Sequence, residues 1–285
     1  MKDTKHLDTS WRALLRPWIS NRYFDVLCPP PFEPDKGSCS LVNAWWLCEL
    51  SRLIYRQGQE EVGLNFQSPA RSEILEGVGL QEVETFSSGT NYCALISARR
   101  SASCSFAALV FRGTSGFDGW LSNLKAVPAY WPAGGWVHSG FKADFLGLWD
   151  KIEPFLSRIE FPLYYTGHSL GGALAILAAS IYPAKAVYTF GAPKTGDANF
   201  ADSVKNAQIY RFENEHDIVP TVPPSAMPFD FCHCGIPISL KDDRQTGPAT
   251  AGIRSLVDPP EFLFHHAPVN YTIRLKNGLV QSRAS

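Results

Sequence analysis

The stretch Tyr164-Tyr165-Thr166-Gly167-His168-Ser169-Leu170-Gly171-Gly172 decides how this chain is read. It contains G-x-S-x-G, a pattern that chance alone gives in about one chain in ten of this length when Gly is roughly 7% of residues. Its surroundings make it specific. An apolar run of strand length, Phe161 to Thr166, leads straight into Gly167, and Leu170 to Tyr182 is helical in composition and closed by Pro183. Strand, tight turn and helix in that order form an elbow that lifts one hydroxyl above a sheet. Gly167 and Gly171, lacking side chains, let strand and helix approach closely. Ser169 is therefore a candidate nucleophile. The N–H of Leu170 falls at a helix N-terminus, where unpaired donors and the helix dipole favour negative charge, and is one candidate oxyanion donor.

The sequence on either side supports a sheet for that elbow to sit on. Val83–Phe86, Tyr92–Ser97 and Ser105–Phe111 read as strands, the last two as a hairpin. Ala186–Phe190 and Gln208–Phe212 are two more buried-strand candidates with a helical segment between them. Apolar residues recur at helical spacing from Ser40 to Arg56 and from Phe141 to Ile159, where Pro154 is expected to kink or split the helix. A further short helix is expected near Pro69–Glu76. The alternation after residue 105 predicts an α/β fold with a mostly parallel sheet and helices on both faces. One domain over 1–285 is the economical reading, with 1–39 as an N-terminal arm and loop.

Nucleophilic catalysis by Ser169 requires a base and an acid that orients it. α/β-Hydrolases place these in the chain order Ser, Asp or Glu, His. Beyond residue 216 the histidines are His233, His265 and His266. Asp217 follows the strand-like Gln208–Phe212, in a loop where active sites of open α/β sheets gather. Asp197 and Asp202 flank a helix and read as capping or solvated charges, and His216 as a loop neighbour. His233 reads as a mid-strand core residue. His265 and His266 are adjacent, and only one of them can be the base. A second oxyanion donor should leave an earlier strand, and Phe111-Arg112-Gly113-Thr114 does so, with Thr114 offering a backbone N–H and a hydroxyl.

At these residues the chain resembles the class 3 lipases, the fungal-type triacylglycerol lipases and their bacterial relatives. The likeness runs from Ala108 to about Leu275. Val110-Phe111-Arg112-Gly113-Thr114 looks like the oxyanion strand, and Val137-His138-Ser139-Gly140-Phe141 like the segment opening the next helix. Gly167 to Gly172 matches the G-H-S-L-G-G elbow, and Thr189-Phe190-Gly191-Ala192-Pro193 looks like the strand after it. Asn214-x-x-Asp217-Ile218-Val219-Pro220 resembles the acid loop, and His266-Ala267-Pro268-x-x-Tyr271 the histidine segment of bacterial members. The resemblance thus favours His266 over His265. It implies an α/β-hydrolase fold, a Ser169/Asp217/His266 triad with Thr114 in the oxyanion hole, and fatty acyl esters as substrate at a lipid–water interface. The N-terminal third is only generically similar.

Phe117, Trp120, Leu121 and Leu124 recur at i, i+3, i+4 and i+7 directly after Thr114, an amphipathic helix opposite Asp118, Ser122 and Asn123. In the lipases resembled, this segment is a lid over the acyl groove, so 115–135 is the candidate lid. Tyr130, Trp131 and Trp136 follow as a hinge-side wall or interfacial anchor. The chain has 285 residues, 45% of them hydrophobic, and a formal charge of -1, which gives no reason to expect nucleic acid as a partner. The chemistry needs no metal or organic cofactor. Cys232-His233-Cys234 suits one ion badly, because ligands at successive strand positions point to opposite faces. Cys93 and Cys104 could face each other across a hairpin centred on Arg99–Arg100, which would allow a bridge; unpaired buried thiols are the simpler reading. No apolar run reaches membrane-spanning length. The first 21 residues carry charges throughout and have no apolar h-region, so they do not read as a secretory signal; a cytoplasmic protein and a mature secreted form both fit, and oligomeric state is not signalled. The alternatives are a lidless carboxyl or feruloyl esterase and an inactive lipase-like binding protein.

Overall fold

The structure, a computed structural model, describes residues 6–19, 22–26, 28–56, 69–98, 105–114, 127–224, 230–241 and 259–282. Its centre is a seven-stranded sheet of β1 (Leu80–Ser88), β2 (Asn91–Ala98), β3 (Ala107–Phe111), β6 (Leu163–His168), β7 (Ala186–Phe190), β8 (Ile209–Asn214) and β9 (Ile236–Leu240), in that spatial order. β1, β2 and β3 pair antiparallel, and β3, β6, β7, β8 and β9 run parallel. A two-stranded ribbon, β4 (Pro128–Tyr130) and β5 (Trp136–His138), stands apart. This is the α/β-hydrolase architecture the sequence predicts.

Both faces of the sheet are covered, which is why its central strands read as continuous apolar runs. Side chains alternate between two cores. Ala108, Val110, Tyr164, Tyr188 and Phe190 join one with helices α2 (Leu41–Leu53) and α8 (Pro268–Ser282). Leu109, Phe111, Tyr165 and Val187 join the other, with α4 (Ser139–Leu156) and α5 (Leu170–Ile181). Each fully buried Leu or Phe in these cores contributes about 1.5–3 kcal/mol. The shorter helices are α1 (Trp11–Leu15), α3 (Arg71–Glu76), α6 (Ala198–Ser203) and α7 (Glu261–Phe264).

The parallel register brings the strand ends level. Phe111 pairs with Gly167, His168 with Phe190, and Phe190 with Phe212. The loops after β3, β6, β7 and β8 therefore open at one edge of the sheet. Thr114, Ser169, Gly191 and Asp217 sit on those four loops.

Two expectations are corrected. Pro154 does not split its helix, which runs unbroken from Ser139 to Leu156; the proline lies in the last turn, where one lost backbone bond is tolerated. His233 is not within a strand: Cys232 makes an isolated bridge to Gly196, and β9 begins only at Ile236. The unpaired reading of Cys93 holds: it is a free, buried thiol whose register partner is Phe111. Cys104 lies outside the described residues. So do Phe117, Trp120, Leu121 and Leu124, with most of the candidate lid. Helix α8 escapes a periodicity reading because Asn270, Thr272 and Arg274 are buried among its apolar residues.

Candidate active site

Ser169 has φ 59° and ψ −129°, a left-handed backbone that costs a non-glycine residue about 1–3 kcal/mol and persists only where its surroundings enforce it. Those surroundings are tight. A Cβ on Gly167 would lie 2.2 Å from the Gly171 carbonyl carbon, and one on Gly171 would lie 2.2 Å from the Phe111 oxygen. Glycine at both positions lets β6, β3 and the first turn of α5 meet. Two backbone bonds lock the turn, from Ser169 N–H to the Phe190 oxygen (2.9 Å) and from Gly172 N–H to the Ser169 oxygen (2.9 Å).

The loop after β8 supplies a buried carboxylate. Asp217 Oδ2 lies 2.8 Å from His266 Nδ1, with the Asp217 side chain wholly buried and that of His266 2% exposed. An ionised carboxylate only accepts, so Nδ1 carries the proton and Nε2 holds the basic lone pair. The Tyr271 hydroxyl donates to the same Oδ2 (2.5 Å), and Val219 N–H donates to Oδ1 (2.9 Å). Burial and the neighbouring Asp217 carboxylate push the Tyr271 phenol well up, keeping it a donor. Tyr271 in turn accepts the Asn214 N–H (3.2 Å).

His265 turns away from this pair. Its Nδ1 lies 3.1 Å from Arg274 Nη2, and burial with that guanidinium pushes the imidazole down to about 4. His233 Nε2 donates to the Pro220 carbonyl (2.7 Å), and burial beside Arg211 likewise lowers it to about 4. Asp197 caps α6, its Oδ1 accepting the Phe200 N–H (2.9 Å), while Asp202 makes an exposed pair with Lys205 (3.0 Å). His216 sits in the acid loop with its ring 5.4 Å from that of His265.

A second hydrogen-bonded chain ties the loops together, and sequence reasoning missed it. His168 Nε2 lies 2.7 Å from the His266 carbonyl, which can only accept, so Nε2 is the protonated nitrogen. Its Nδ1 then accepts from the Tyr55 hydroxyl (3.0 Å), and Tyr55 accepts the Gly113 N–H. Burial, reinforced by the nearby His266, pushes His168 well below the ordinary range, so it stays neutral. Tyr55, just after α2, thus joins the end of β3 to the elbow and the histidine loop. Its partners lie far along the chain, and nothing local marks it.

Ser169, His266, Thr114, Tyr55 and His168 line one cavity of about 10 Å³, together with Leu14, Pro17 and Pro268. Ser169 is 3% exposed and His266 1%. Among the described residues the Thr114 hydroxyl is buried with no hydrogen-bond partner, as a donor awaiting an anionic oxygen would be. Leu170 is the first residue of α5, so its N–H belongs to the turn that lacks intrahelical acceptors. The described residues contain no group of three or more His, Cys, Asp or Glu arranged to hold a metal ion. None of their helices is long and apolar enough to cross a membrane.

Comparison with known proteins agrees with this architecture. Residues 108–227 match the family described as lipase (class 3). A lipase of Rhizomucor miehei is 36% identical over 145 residues, covering 45% of this chain and 39% of that protein. The match spans about two fifths of the length of such curated relatives. A solved triacylglycerol lipase, whose catalytic centre is described as a serine protease triad, superposes with a TM-score of 0.50 at 30% identity, over 57% of this chain and 68% of that one. The lipase of Rhizopus microsporus var. chinensis superposes with a TM-score of 0.57 at 22% identity, over 76% and 82% respectively, and so speaks to the fold. Over residues 108–227, on an α/β-hydrolase fold, this chain belongs to the class 3 lipases.

Proposed function

We propose that this protein hydrolyses fatty acyl esters through an acyl-enzyme on Ser169, with His266 as general base and Asp217 as the acid that orients it. The observation that carries the proposal is the buried His266–Asp217 pair at 2.8 Å, whose imidazole lines the same cavity as Ser169. His266 Nε2 takes the Ser169 proton as Oγ attacks the carbonyl, then returns it to the leaving alcohol. Asp217 holds the tautomer and stabilises the imidazolium. Leu170 N–H and Thr114 receive the tetrahedral oxyanion, each such donor supplying about 3 kcal/mol of transition-state stabilisation. Water repeats the cycle to release the acid.

Triacylglycerols or related acylglycerols at a lipid–water interface are the proposed physiological substrates, by likeness to the relatives named above. The whole chain acts as one catalytic domain, with 115–135 as its lid. The test is the turnover of p-nitrophenyl esters. Ser169→Ala should abolish all but the residual rate that binding and the oxyanion hole supply, with the fold intact; near wild-type turnover would remove Ser169 from the mechanism. Long acyl esters should accelerate disproportionately above their solubility limit. Smooth saturation through that limit would favour a plain carboxyl esterase.

A further inference from the structure

The cavity around Ser169 is too small for an ester. Its volume of about 10 Å³ holds roughly one water, whereas sites for small organic ligands typically enclose about 300–1,000 Å³. Part of its wall must therefore move or be displaced. Among the described residues, the apolar part of that wall is Leu14, Pro17 and Pro268. Pro268 begins α8, which is packed on α2 in the core. Leu14 and Pro17 belong instead to the N-terminal arm, and that arm is held differently.

Residues 8–19 form a strap pinned at both ends. At one end Asp8 exchanges two hydrogen bonds with the buried Asn270: its N–H reaches Oδ1 (2.7 Å), and its carbonyl accepts from Nδ2 (2.8 Å). At the other, Arg56 Nη1 donates to the Trp18 carbonyl (3.2 Å), and Arg52 Nη2 to the Arg22 carbonyl just beyond (2.7 Å). Between the pins, contact is apolar: Ala13 and Leu14 join Val219 and Ala267 in a cluster separate from the two main cores, with Leu15, Ile218, Val222, Leu263 and Val269 packed partly buried against it. Val219 and Ala267 flank Asp217 and His266 closely in sequence. The strap also lines a second space of about 210 Å³, to which Asp8, Arg12, Ala13, Arg16, Pro17 and Ile19 contribute. Pro17 lines both, so the two spaces meet at the strap.

We propose that this strap is the size gate of the ester site, and that Leu14 and Pro17 determine which acyl chains reach Ser169. The inference rests on Ser169 being the nucleophile. Fixed pins, with an apolar contact between them that stands apart from the two main cores, allow the middle to bow outward without breaking the hydrogen bonds at its ends. Bowing would join the small space beside Ser169 to the larger one and give an acyl chain room. A short chain needs little displacement and a long one needs more, so the strap discriminates by size.

The experiment measures how fast Ser169 is phosphonylated by two fluorophosphonates, one methyl-substituted and one decyl-substituted. Leu14→Ala should raise the ratio of decyl to methyl rates by about fivefold or more, and Leu14→Trp should lower it, since a few methylenes in an apolar site are worth at least that discrimination. Pro17→Ala should act in the same direction as Leu14→Ala. Ratios that stay within about twofold of wild type in all three variants would overturn the gate while leaving the hydrolase reading intact. A folded wild type labelled by neither probe would overturn both. A measurement on the unaltered protein covers the case of variants that fail to fold. Amides of residues 11–19 should exchange hydrogen faster in the decyl adduct than in the methyl adduct, and equal rates would count against the gate.

Discussion

Gly191, immediately after β7, offers a sharp perturbation of the proposed acid–base pair. Its φ is +59°, and a Cβ built on it would lie 2.8 Å from Asp217 Oδ2, 2.8 Å from the Tyr271 hydroxyl and 3.1 Å from His266 Nδ1. Gly191→Ala therefore drives a methyl group into the point where acid, base and supporting phenol converge. Ordinary contact begins near 3.4 Å, so at least one oxygen must retreat by about 0.6 Å, and the 2.8 Å bond between Asp217 and His266 cannot keep its geometry. The left-handed backbone adds about 1–2 kcal/mol of strain for a non-glycine residue. Misplacing a catalytic group by up to an ångström costs about a hundredfold in rate. The expected outcome is a fall in kcat on a short p-nitrophenyl ester of roughly 10²-fold, with KM little changed. Stability should fall by about 2 kcal/mol in urea denaturation, mainly from backbone strain. Rates should be taken well below the onset of unfolding, so that the two effects separate. A variant with activity within about threefold of wild type would refute the convergence of these three groups as the engine of catalysis.

Other outcomes follow from the same geometry. Asp217→Asn should lower kcat by about 10⁴-fold with the fold retained, because an amide no longer fixes the protonated Nδ1 of His266; steady-state kinetics beside circular dichroism checks it. Tyr55→Phe removes the hydroxyl between Gly113 and His168, leaving buried polar groups that cost about 1–3 kcal/mol each, and should show as a lower urea midpoint. Unchanged stability would mean that the chain from Gly113 to His266 contributes nothing. His233 and His265 are held down at about 4 against about 6.5 in an unfolded chain. Between those values the unfolded state binds the extra protons, so the stability present above about pH 6.5 is lost as pH falls toward about 4. A His233→Gln/His265→Gln variant should lose less between neutral and mildly acidic pH than wild type, and parallel curves would contradict the assignment.

The elements that sequence alone discloses are those whose cause is local. The elbow is legible because two glycines, an apolar strand and a helix adjoin one another. Ala186–Phe190 is legible because a strand buried on both faces has to be apolar throughout, and its bounds match the structure residue for residue. Asp197 is legible as a helix cap because its role lies within three residues. What escapes is non-local. Tyr55 acts on groups more than fifty residues away, and α8 mixes Asn270, Thr272 and Arg274 into its buried face because each answers a partner elsewhere: Asp8 for Asn270, Cys48 for Thr272, and His265 and Leu240 for Arg274. The arm before residue 39 reads as a mere connection, yet Leu14 and Pro17 line the cavity of Ser169. No periodicity announces that, since the strap's helix is a single turn. The choice between His265 and His266 is likewise undecidable from local chemistry, because both are buried at the turn after α7 and only their distant partners, Arg274 and Asp217, differ.

The central claim is that one hydroxyl, Ser169, is made nucleophilic by His266 and Asp217. Its most direct test is peptide mapping by mass spectrometry after exposure to a methyl-substituted fluorophosphonate. Wild type should yield a single covalent adduct on Ser169, Ser169→Ala none, and Asp217→Asn the same adduct far more slowly. An adduct formed on another residue, or a correctly folded wild type that takes up no label, would contradict it.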